Sequence, residues 1–189
     1  MKIQEIPHPA LCTLPTPLVE ASRLSAELGG PLILIKRDDL TGIAMGGNKN
    51  RGLELVLAED KNDGVDVVLA AGPQQSNWLC SMTALARKLG IDIILFLLGD
   101  RDEIQGNVLL NMLLGAEVIF TGKDLHDLPA VFEQMENEAA KLRRQGKRPH
   151  VFDYGAMGPL GIAGYVSLAI EVSEQLKQKQ LTAQYLLKL

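Results

Sequence analysis

Short apolar segments alternate with amphipathic segments along most of this 189-residue chain. Apolar runs bounded by glycine or polar residues predict strands at residues 31–36, 65–71, 91–98, 116–121 and 150–154, and the start of another at 183–189. Helical periodicity fills the intervals, at residues 49–61, 76–90, 107–114, 128–145 and 160–177. Because the strands are almost uniformly apolar, we expect an α/β fold in three layers, with a mostly parallel sheet covered by helices on both faces.

Composition narrows the class of protein. Apolar residues make up 47% of the chain, enough for a packed core, and the net charge of −4 argues against nucleic-acid or membrane partners. Cys12 and Cys80 are the only cysteines, so no disulfide framework is expected and a reducing cytoplasm fits. The first residues lack the apolar core of a signal peptide, and the longest apolar run is too short to span a bilayer. The three histidines lack metal-ligand spacing, so we predict no metal site.

A glycine-rich stretch at residues 42–56 is the first candidate site, because parallel sheets bind ligands where strands lead into helices. Gly46 and Gly47 precede Asn48, which is predicted to cap a helix whose first residue is Lys49. The positive end of the helix dipole disfavours an ammonium group there, which suits covalent chemistry with a carbonyl compound. The residues alone leave open a plain glycine turn followed by a solvated lysine.

A second candidate site follows the next predicted strand. Residues 72–78 gather Gln74, Gln75, Ser76 and Asn77 where a helix begins. Backbone N–H groups at a helix start form an anion cradle with hydroxyl and amide donors, although ordinary capping by Ser76 or Asn77 explains the same residues. The chain has neither the GxGxxG nor the GxxxxGK[ST] pattern, which disfavours a generic nucleotide-binding module.

Together the two loops resemble a known family. GGNKNRGLE at residues 46–54 is similar to the cofactor-lysine segment of fold-type-II pyridoxal-phosphate enzymes, and AAGPQQSNWLCSMTALARKLG at residues 70–90 is similar to their substrate-carboxylate loop. Residues 14–49, 106–118 and 159–172 follow the family in the same order. The nearest branch contains D-cysteine desulfhydrase and 1-aminocyclopropane-1-carboxylate deaminase. The resemblance implies a tryptophan-synthase-β-like fold and pyridoxal-phosphate-dependent elimination or deamination of a small amino acid.

The resemblance also implies roles for single residues. Lys49 would carry pyridoxal 5'-phosphate covalently and, once released, would move the Cα proton of the substrate. Asn77 would hydrogen-bond the 3'-oxygen of the cofactor, and Ser76 would hold the substrate carboxylate or act near Cα. Further candidates are Asn48 for the cofactor, and Gln75, Asn77 and Trp78 for the substrate.

Three features depart from the family pattern. Trp78 stands where the family usually has histidine or glutamine, and Met157 stands where relatives tend to place a serine. The chain also ends at Leu189, before the glycine- and serine/threonine-rich loop that holds the phosphate in the family. We therefore expect a C-terminally truncated fold, in which residues 1–51 and 159–189 form part of a large cofactor domain and residues 52–158 form a small α/β domain.

The expected truncation has functional consequences. The isolated chain would bind pyridoxal 5'-phosphate weakly or not at all, so its activity would be impaired. The alternative is a non-catalytic remnant, or half of a split enzyme that needs a partner chain. As protein partners we expect a second copy in a homo-oligomer or a complementing chain.

The remaining features have plain explanations. Cys80 is expected to be a buried structural thiol rather than a nucleophile. Asp38 and Asp39 fit a turn at a strand end better than a paired-carboxylate site. Tyr154 is expected to be a packing residue near the presumed site.

Overall fold

The computed structural model describes residues 9–101, 103–153 and 157–185 of the chain. Its strands are β1 (Leu18–Glu20), β2 (Leu34–Lys36), β3 (Val67–Pro73), β4 (Asp92–Leu98), β5 (Glu117–Phe120) and β6 (Pro149–Val151). Its α-helices are α1 (Ser22–Leu28), α2 (Lys49–Asn62), α3 (Asn77–Lys88), α4 (Gly106–Leu113), α5 (Leu128–Arg144) and α6 (Gly158–Gln178). Short 3-10 turns lie at Asp38–Leu40 and Leu125–Asp127.

Four of the strands form a parallel sheet, in the order β5-β4-β3-β6. The chain moves from β3 to β4 to β5 and then returns to β6 on the far side of β3. The direction of strand order therefore reverses between β3 and β6. The carboxyl ends of these two strands form the switch point at which open α/β sheets bind ligands.

Helices cover both faces of this sheet, and successive side chains of each strand serve opposite faces. Val68 and Ala70 of β3 pack with residues of α2 and α3, including Leu57 and Leu79. Their neighbours on β3, at positions 67, 69 and 71, pack instead against the buried side chains of α5 at positions 131, 135 and 139. The two-sided burial explains why the strands are uniformly apolar, and it confirms the predicted three-layer α/β fold.

The strand predicted at residues 31–36 does not belong to the parallel sheet. Only Leu34–Lys36 is extended, and it pairs antiparallel with β1 in a separate two-stranded sheet, with Val19 opposite Ile35. Gly29, with φ of 59°, ends α1 and turns the chain back toward β1. Neither β1 nor α1 was predicted, because their segments are too short to show a clear period.

The end of the chain also differs from expectation. Residues 183–185 are not in a strand, and residues 186–189 lie outside the described part of the chain. Tyr154 and His8 lie outside it as well. The division into a large domain (1–51 and 159–189) and a small domain (52–158) stays a prediction.

Helices α2 and α6 approach each other closely through small residues. A Cβ atom on Gly164 would stand 2.3 Å from the carbonyl oxygen of Arg51, and one on Gly52 would stand 2.6 Å from that of Gly161. Only glycine lets the two backbones come this near. The contact fixes the first turn of α2, where Lys49 lies, against α6. Within the described residues, no helix combines the length and the apolar character needed to cross a membrane.

Candidate functional site

Lys49 is the first residue of α2, as predicted, and its side chain is half-buried. Asn48 occupies the N-cap position, but its side chain makes no capping hydrogen bond. The reason is its helical backbone conformation, with φ of −67° and ψ of −21°, since a capping side chain normally needs an extended backbone. The predicted position of Asn48 is confirmed, whereas the predicted side-chain cap is wrong.

The two glycines before Lys49 have different surroundings. Both have positive φ, 76° at Gly46 and 112° at Gly47. A Cβ on Gly46 would stand 1.9 Å from the carbonyl oxygen of Asp39, so packing alone demands glycine there. A Cβ on Gly47 would meet no atom within 4 Å. The backbone two residues before Lys49 therefore borders open space, which suits the close approach of a flat ligand.

Asn50 holds this loop in place, and the sequence interpretation missed it. Its side chain is fully buried and donates from Nδ2 to the hydroxyl of Thr41 at 2.8 Å and to the carbonyl of Ile43 at 3.0 Å. These bonds tie the first turn of α2 to the start of the glycine loop. A polar residue at a buried helix position is the signal that would have identified it.

Ser76 begins the second loop-to-helix junction and acts as an ordinary cap. Its backbone is extended, and its Oγ accepts from the backbone N–H of Leu79 at 3.3 Å. The N–H groups of the first turn of α3 have no carbonyl partner within the helix, which keeps an anion-binding end available.

Gln75 and Asn77 contact a residue that the sequence interpretation missed, Asn107 of α4. Asn77 Oδ1 accepts from Asn107 Nδ2 at 2.8 Å. Gln75 Oε1 accepts from the backbone N–H of Asn107 at 2.8 Å, and Gln75 Nε2 donates to the carbonyl of Gln105 at 3.2 Å. The side chains predicted to bind substrate are thus also used to fasten the loop to the start of α4.

Trp78 lies in the core rather than at the surface. It is 9% exposed and meets Phe152 edge-on, with ring centroids 6.4 Å apart. Its indole Nε1 is buried without a hydrogen-bond partner in the described part of the protein. Because Phe152 follows β6 and Trp78 follows β3, this contact joins the two loops at the switch point. The substrate-binding role of Trp78 stays a prediction.

The two candidate loops lead into neighbouring helices. Helix α2 packs beside α3 on one face of the sheet. A Cβ on Gly52, one turn after Lys49, would stand 2.9 Å from the sulfur of Met157, in the segment that follows β6. The starts of α2 and α3 thus both border the loop region after β6. That Lys49 faces Asn77 across a cleft stays a prediction.

Asp38 and Asp39 do not form a paired-carboxylate site. Asp39 pairs with Arg37 at the surface, with Arg37 Nη2 2.8 Å from Asp39 Oδ2. Asp38 is buried and pairs with Arg51. Burial alone would raise the pKa of Asp38, but hydrogen bonds from Arg51 and Thr16 outweigh it and lower that pKa below its ordinary value. The two carboxylates thus belong to a turn after a strand, as predicted.

The other candidate groups show no arrangement for catalysis. Cys80 is buried, and burial raises the pKa of its thiol, so it is an inert structural residue, as predicted. Among the described residues, no three His, Cys, Asp or Glu side chains are grouped to hold a metal ion. A cleft of about 600 Å³ opens at the carboxyl ends of β3 and β4, beside Gln74 and Gln75.

Comparisons with known proteins agree with this arrangement. Residues 10–184 match the family described as pyridoxal-phosphate dependent enzyme. A D-cysteine desulfhydrase of Serratia proteamaculans is 40% identical over 180 aligned positions, and the alignment covers 92% of this chain and 53% of the relative. A protein of Pyrococcus horikoshii, provisionally named a 1-aminocyclopropane-1-carboxylate deaminase, is 36% identical over 94% of this chain and 53% of its own length. The chain spans about half the length of the curated relatives it matches.

Solved structures show the same fold. A crystal structure of an ACC deaminase homologue superposes with a TM-score of 0.80 at 37% identity, covering 92% of this chain and 52% of that one. A diaminopropionate ammonia lyase from Escherichia coli, at 20% identity and a TM-score of 0.67, shares the fold over 90% of this chain and 46% of its own. The fold is therefore that of fold-type-II enzymes, as the resemblance implied. With the family match extending over nearly the whole sequence, the chain belongs to the pyridoxal-phosphate-dependent enzymes.

Proposed function

We propose that this chain carries the lysine and the substrate loop of an enzyme that eliminates from or deaminates a small amino acid, of the D-cysteine or 1-aminocyclopropane-1-carboxylate type. The observation that carries the proposal is the placement of Lys49. It is the first residue of a helix that follows a glycine loop, and that helix packs beside the one that begins at the Ser76 cap.

The donors at this site suit pyridoxal 5'-phosphate and an amino-acid substrate. Lys49 supplies the amine that a cofactor aldehyde requires, and Gly47 leaves the adjoining backbone open. Asn48 is the second candidate on this side. At the start of α3, Asn77 offers an amide for the ring oxygen. The backbone N–H groups in the first turn of α3 suit a carboxylate. The residues present therefore fit the cofactor at its lysine and ring ends.

The mechanism that we propose assigns one task to each element. When bound, pyridoxal 5'-phosphate would supply the electron sink for the charge that develops at Cα of the substrate. Lys49 would hold the cofactor, and its neutral amine would then take or return the Cα proton. Ser76 and the start of α3 bind the carboxylate, with Gln75 as a further donor, and so orient the Cα–H bond toward Lys49. Trp78 and Phe152 exclude water behind the substrate loop.

The phosphate end is the weak point of the isolated polypeptide in this proposal. Lys49 is assigned to the aldehyde of the cofactor, Asn77 to its ring oxygen, and Ser76 with the start of α3 to the substrate carboxylate. None of these groups is assigned to the phosphate. Each charge-assisted hydrogen bond to a phosphate contributes about 1.5–3 kcal/mol, so a few missing donors weaken binding by orders of magnitude. We expect a second copy or a complementing chain to supply them, in a cytoplasmic setting that suits the two buried free thiols.

The first test is covalent labelling of Lys49. Pyridoxal 5'-phosphate is added in excess, borohydride fixes it to the lysine that holds it, and peptide mapping finds the label. We expect Lys49 to be labelled ahead of other lysines, and Lys49→Arg to remove that label.

Lys61 provides the matched control, because it lies at the exposed end of the same helix. Lys61→Arg should leave the label on Lys49 unchanged. A label that spreads over surface lysines and spares Lys49 would show that the assignment is wrong.

A further inference from the structure

Arg51 lies two residues after Lys49 and is buried to 1% exposure. Its Nε and Nη2 each donate to one carboxylate oxygen of Asp38 at 2.8 Å, a bidentate pair. Nη2 also donates to Thr16 Oγ1 at 3.0 Å. A bidentate guanidinium–carboxylate pair fixes direction as well as distance. We call Arg51, Asp38 and Thr16 the inner clamp.

The inner clamp also holds the glycine loop. The carbonyl oxygen of Asp38 accepts from the backbone N–H of Gly47 at 2.7 Å, while the side chain of Asp38 binds Arg51. Asp38 therefore forms hydrogen bonds on both sides of Lys49, with Gly47 two residues before it and with Arg51 two residues after it. The Oγ1 of Thr16 donates to Asp38 Oδ1 at 2.7 Å and completes the arrangement.

An outer group connects the inner clamp to α6. Glu171 Oε2 accepts from Arg51 Nη1 at 2.8 Å, and Lys36 binds the other carboxylate oxygen of Glu171. Lys36 also donates to Gln175 Oε1 at 2.7 Å. Two cations and two carboxylates thus balance in a mostly buried place. Truncating one partner there would leave a buried charge unpaired.

We propose that the inner clamp is the positioning device for Lys49, setting the direction from which its amine meets the cofactor. This inference rests on the proposed function of Lys49. Lys49 begins α2, where a helix end ordinarily frays, and Gly46 and Gly47 lie just before Asn48, at positions where the backbone itself restricts rotation least. The clamp removes that freedom on both sides of the lysine. The outer group holds α6 in place and does not touch the glycine loop.

The test compares two identical substitutions in different places. Arg51→Lys keeps the charge but loses the planar fork that binds Asp38. Arg37→Lys makes the same change in the exposed Arg37–Asp39 pair, which follows directly after β2. Glu171→Gln removes the charge that Arg51 Nη1 and the backbone N–H of Thr16 meet on Glu171, but it leaves the bidentate Arg51–Asp38 pair and the bond from Gly47 to Asp38 in place. Each protein is checked for folding by circular dichroism, and then labelled with pyridoxal 5'-phosphate and borohydride at one pH.

We expect Arg51→Lys to slow the labelling of Lys49 by tenfold or more, on the order of the effect of small misplacements on reactivity. Arg37→Lys should label at the wild-type rate, and Glu171→Gln should stay within about twofold while losing stability. If Arg51→Lys does not fold, the labelling rate of Thr16→Val tests the proposal instead. It removes one bond to each of Arg51 and Asp38 and should slow labelling severalfold.

Hydrogen exchange gives a readout without the cofactor. The amide of Gly47 should exchange faster in Arg51→Lys, or in Thr16→Val, than in Arg37→Lys. Wild-type labelling rates in the folded inner-clamp variants, or equal slowing in Glu171→Gln, would overturn the proposal. Failure of the wild-type protein to label Lys49 would instead refute the proposed function, and the exchange of Gly47 would still test the clamp.

Discussion

At the scale of single residues, side-chain amides fix the two loops at which the site lies, one of them buried (Asn50) and one half-exposed (Asn107). Asn50 ties the glycine loop to α2, and Asn107 ties the substrate loop to α4. Each works through bonds to backbone atoms as well as to side chains. The bonds of Asn50 hold the glycine loop in one shape because breaking them would leave a buried polar group without partners, whereas water can replace the exposed bonds of Asn107.

The pKa of His150, on β6, depends on the groups that surround its side chain. Its Nδ1 lies 2.7 Å from Asp60 Oδ1 of α2, and its ring stacks on Phe152 with centroids 4.2 Å apart. The hydrogen bond to Asp60 raises the pKa of His150, burial opposes this, and the charges of Asp60, Asp153 and Glu59 raise it further. The protonated imidazole is therefore the form that the fold favours.

We expect Asp60→Asn to lower the free energy of unfolding more in acid than in alkali. A histidine whose pKa is raised on folding contributes stability below its unfolded pKa of about 6.5, and this is lost as the pH rises through the folded value. Urea unfolding at about pH 5 and about pH 9 measures the difference. His126→Gln is the control at an exposed histidine and should change the free energy of unfolding by about 0.5 kcal/mol or less. An equal effect of Asp60→Asn at both pH values would contradict the assignment.

At the scale of elements, the crossing of α2 and α6 decides how the lysine helix is seated. Gly52, Gly161 and Gly164 bring the two backbones together, and the Arg51–Glu171 pair joins them beside the crossing. Small residues at the contact let charged groups from both helices meet inside the fold. The lysine helix is thereby attached both to the parallel sheet and to α6.

Gly164→Ala tests this crossing. In a helix, alanine is favoured over glycine by about 1 kcal/mol, so the change would stabilise an uncrowded helix. Here the added methyl would stand 2.3 Å from the carbonyl oxygen of Arg51, and overpacking costs about 1–3 kcal/mol. We expect a net loss of stability in thermal or urea unfolding. Gly30→Ala, whose nearest contact would be 3.9 Å away, should have little effect, and a stabilised Gly164→Ala would show that the helices can move apart.

At the scale of the whole molecule, apolar side chains remain exposed away from the parallel sheet. They include Leu28 of α1, Ile35 of β2, Met45 of the glycine loop and Ile162 of α6, which are 64%, 43%, 77% and 62% exposed. Apolar side chains that are exposed singly are normal on a protein surface, so the proposal that the site is completed in an assembly rests on the phosphate end of the cofactor alone.

We expect the purified 189-residue polypeptide alone to show little turnover. The reason is the weak hold on the cofactor phosphate that we propose, because a poorly oriented cofactor loses several kcal/mol of barrier reduction. The assay is release of pyruvate from D-cysteine and of 2-oxobutanoate from 1-aminocyclopropane-1-carboxylate, with saturating cofactor and no other protein. Lys49→Arg gives the background rate. Robust multiple turnover above that background would show that the lysine and substrate loops suffice.

The sequence by itself determined the succession of the parallel strands and helices along the chain, and the place of Lys49 at the start of α2. These features are local, because a run of apolar residues or a helical period is complete within about ten to twenty positions. The ends of most helices and strands in the structure lie within one or two residues of the predicted ends. The family match confirmed the cofactor class that GGNKNRGLE and the loop at residues 70–90 had implied.

Tertiary structure alone decided which distant residues meet. Glu171 binds Arg51 from 120 positions away, and Asn107 binds Asn77 from 30 positions away. β2 joins β1 in an antiparallel pair instead of entering the parallel sheet. No local period encodes such partners, because they depend on how the layers stack and on where a buried charge finds its counter-charge. The lysine can be identified from its neighbours in sequence, but the groups that hold it steady are supplied by the fold.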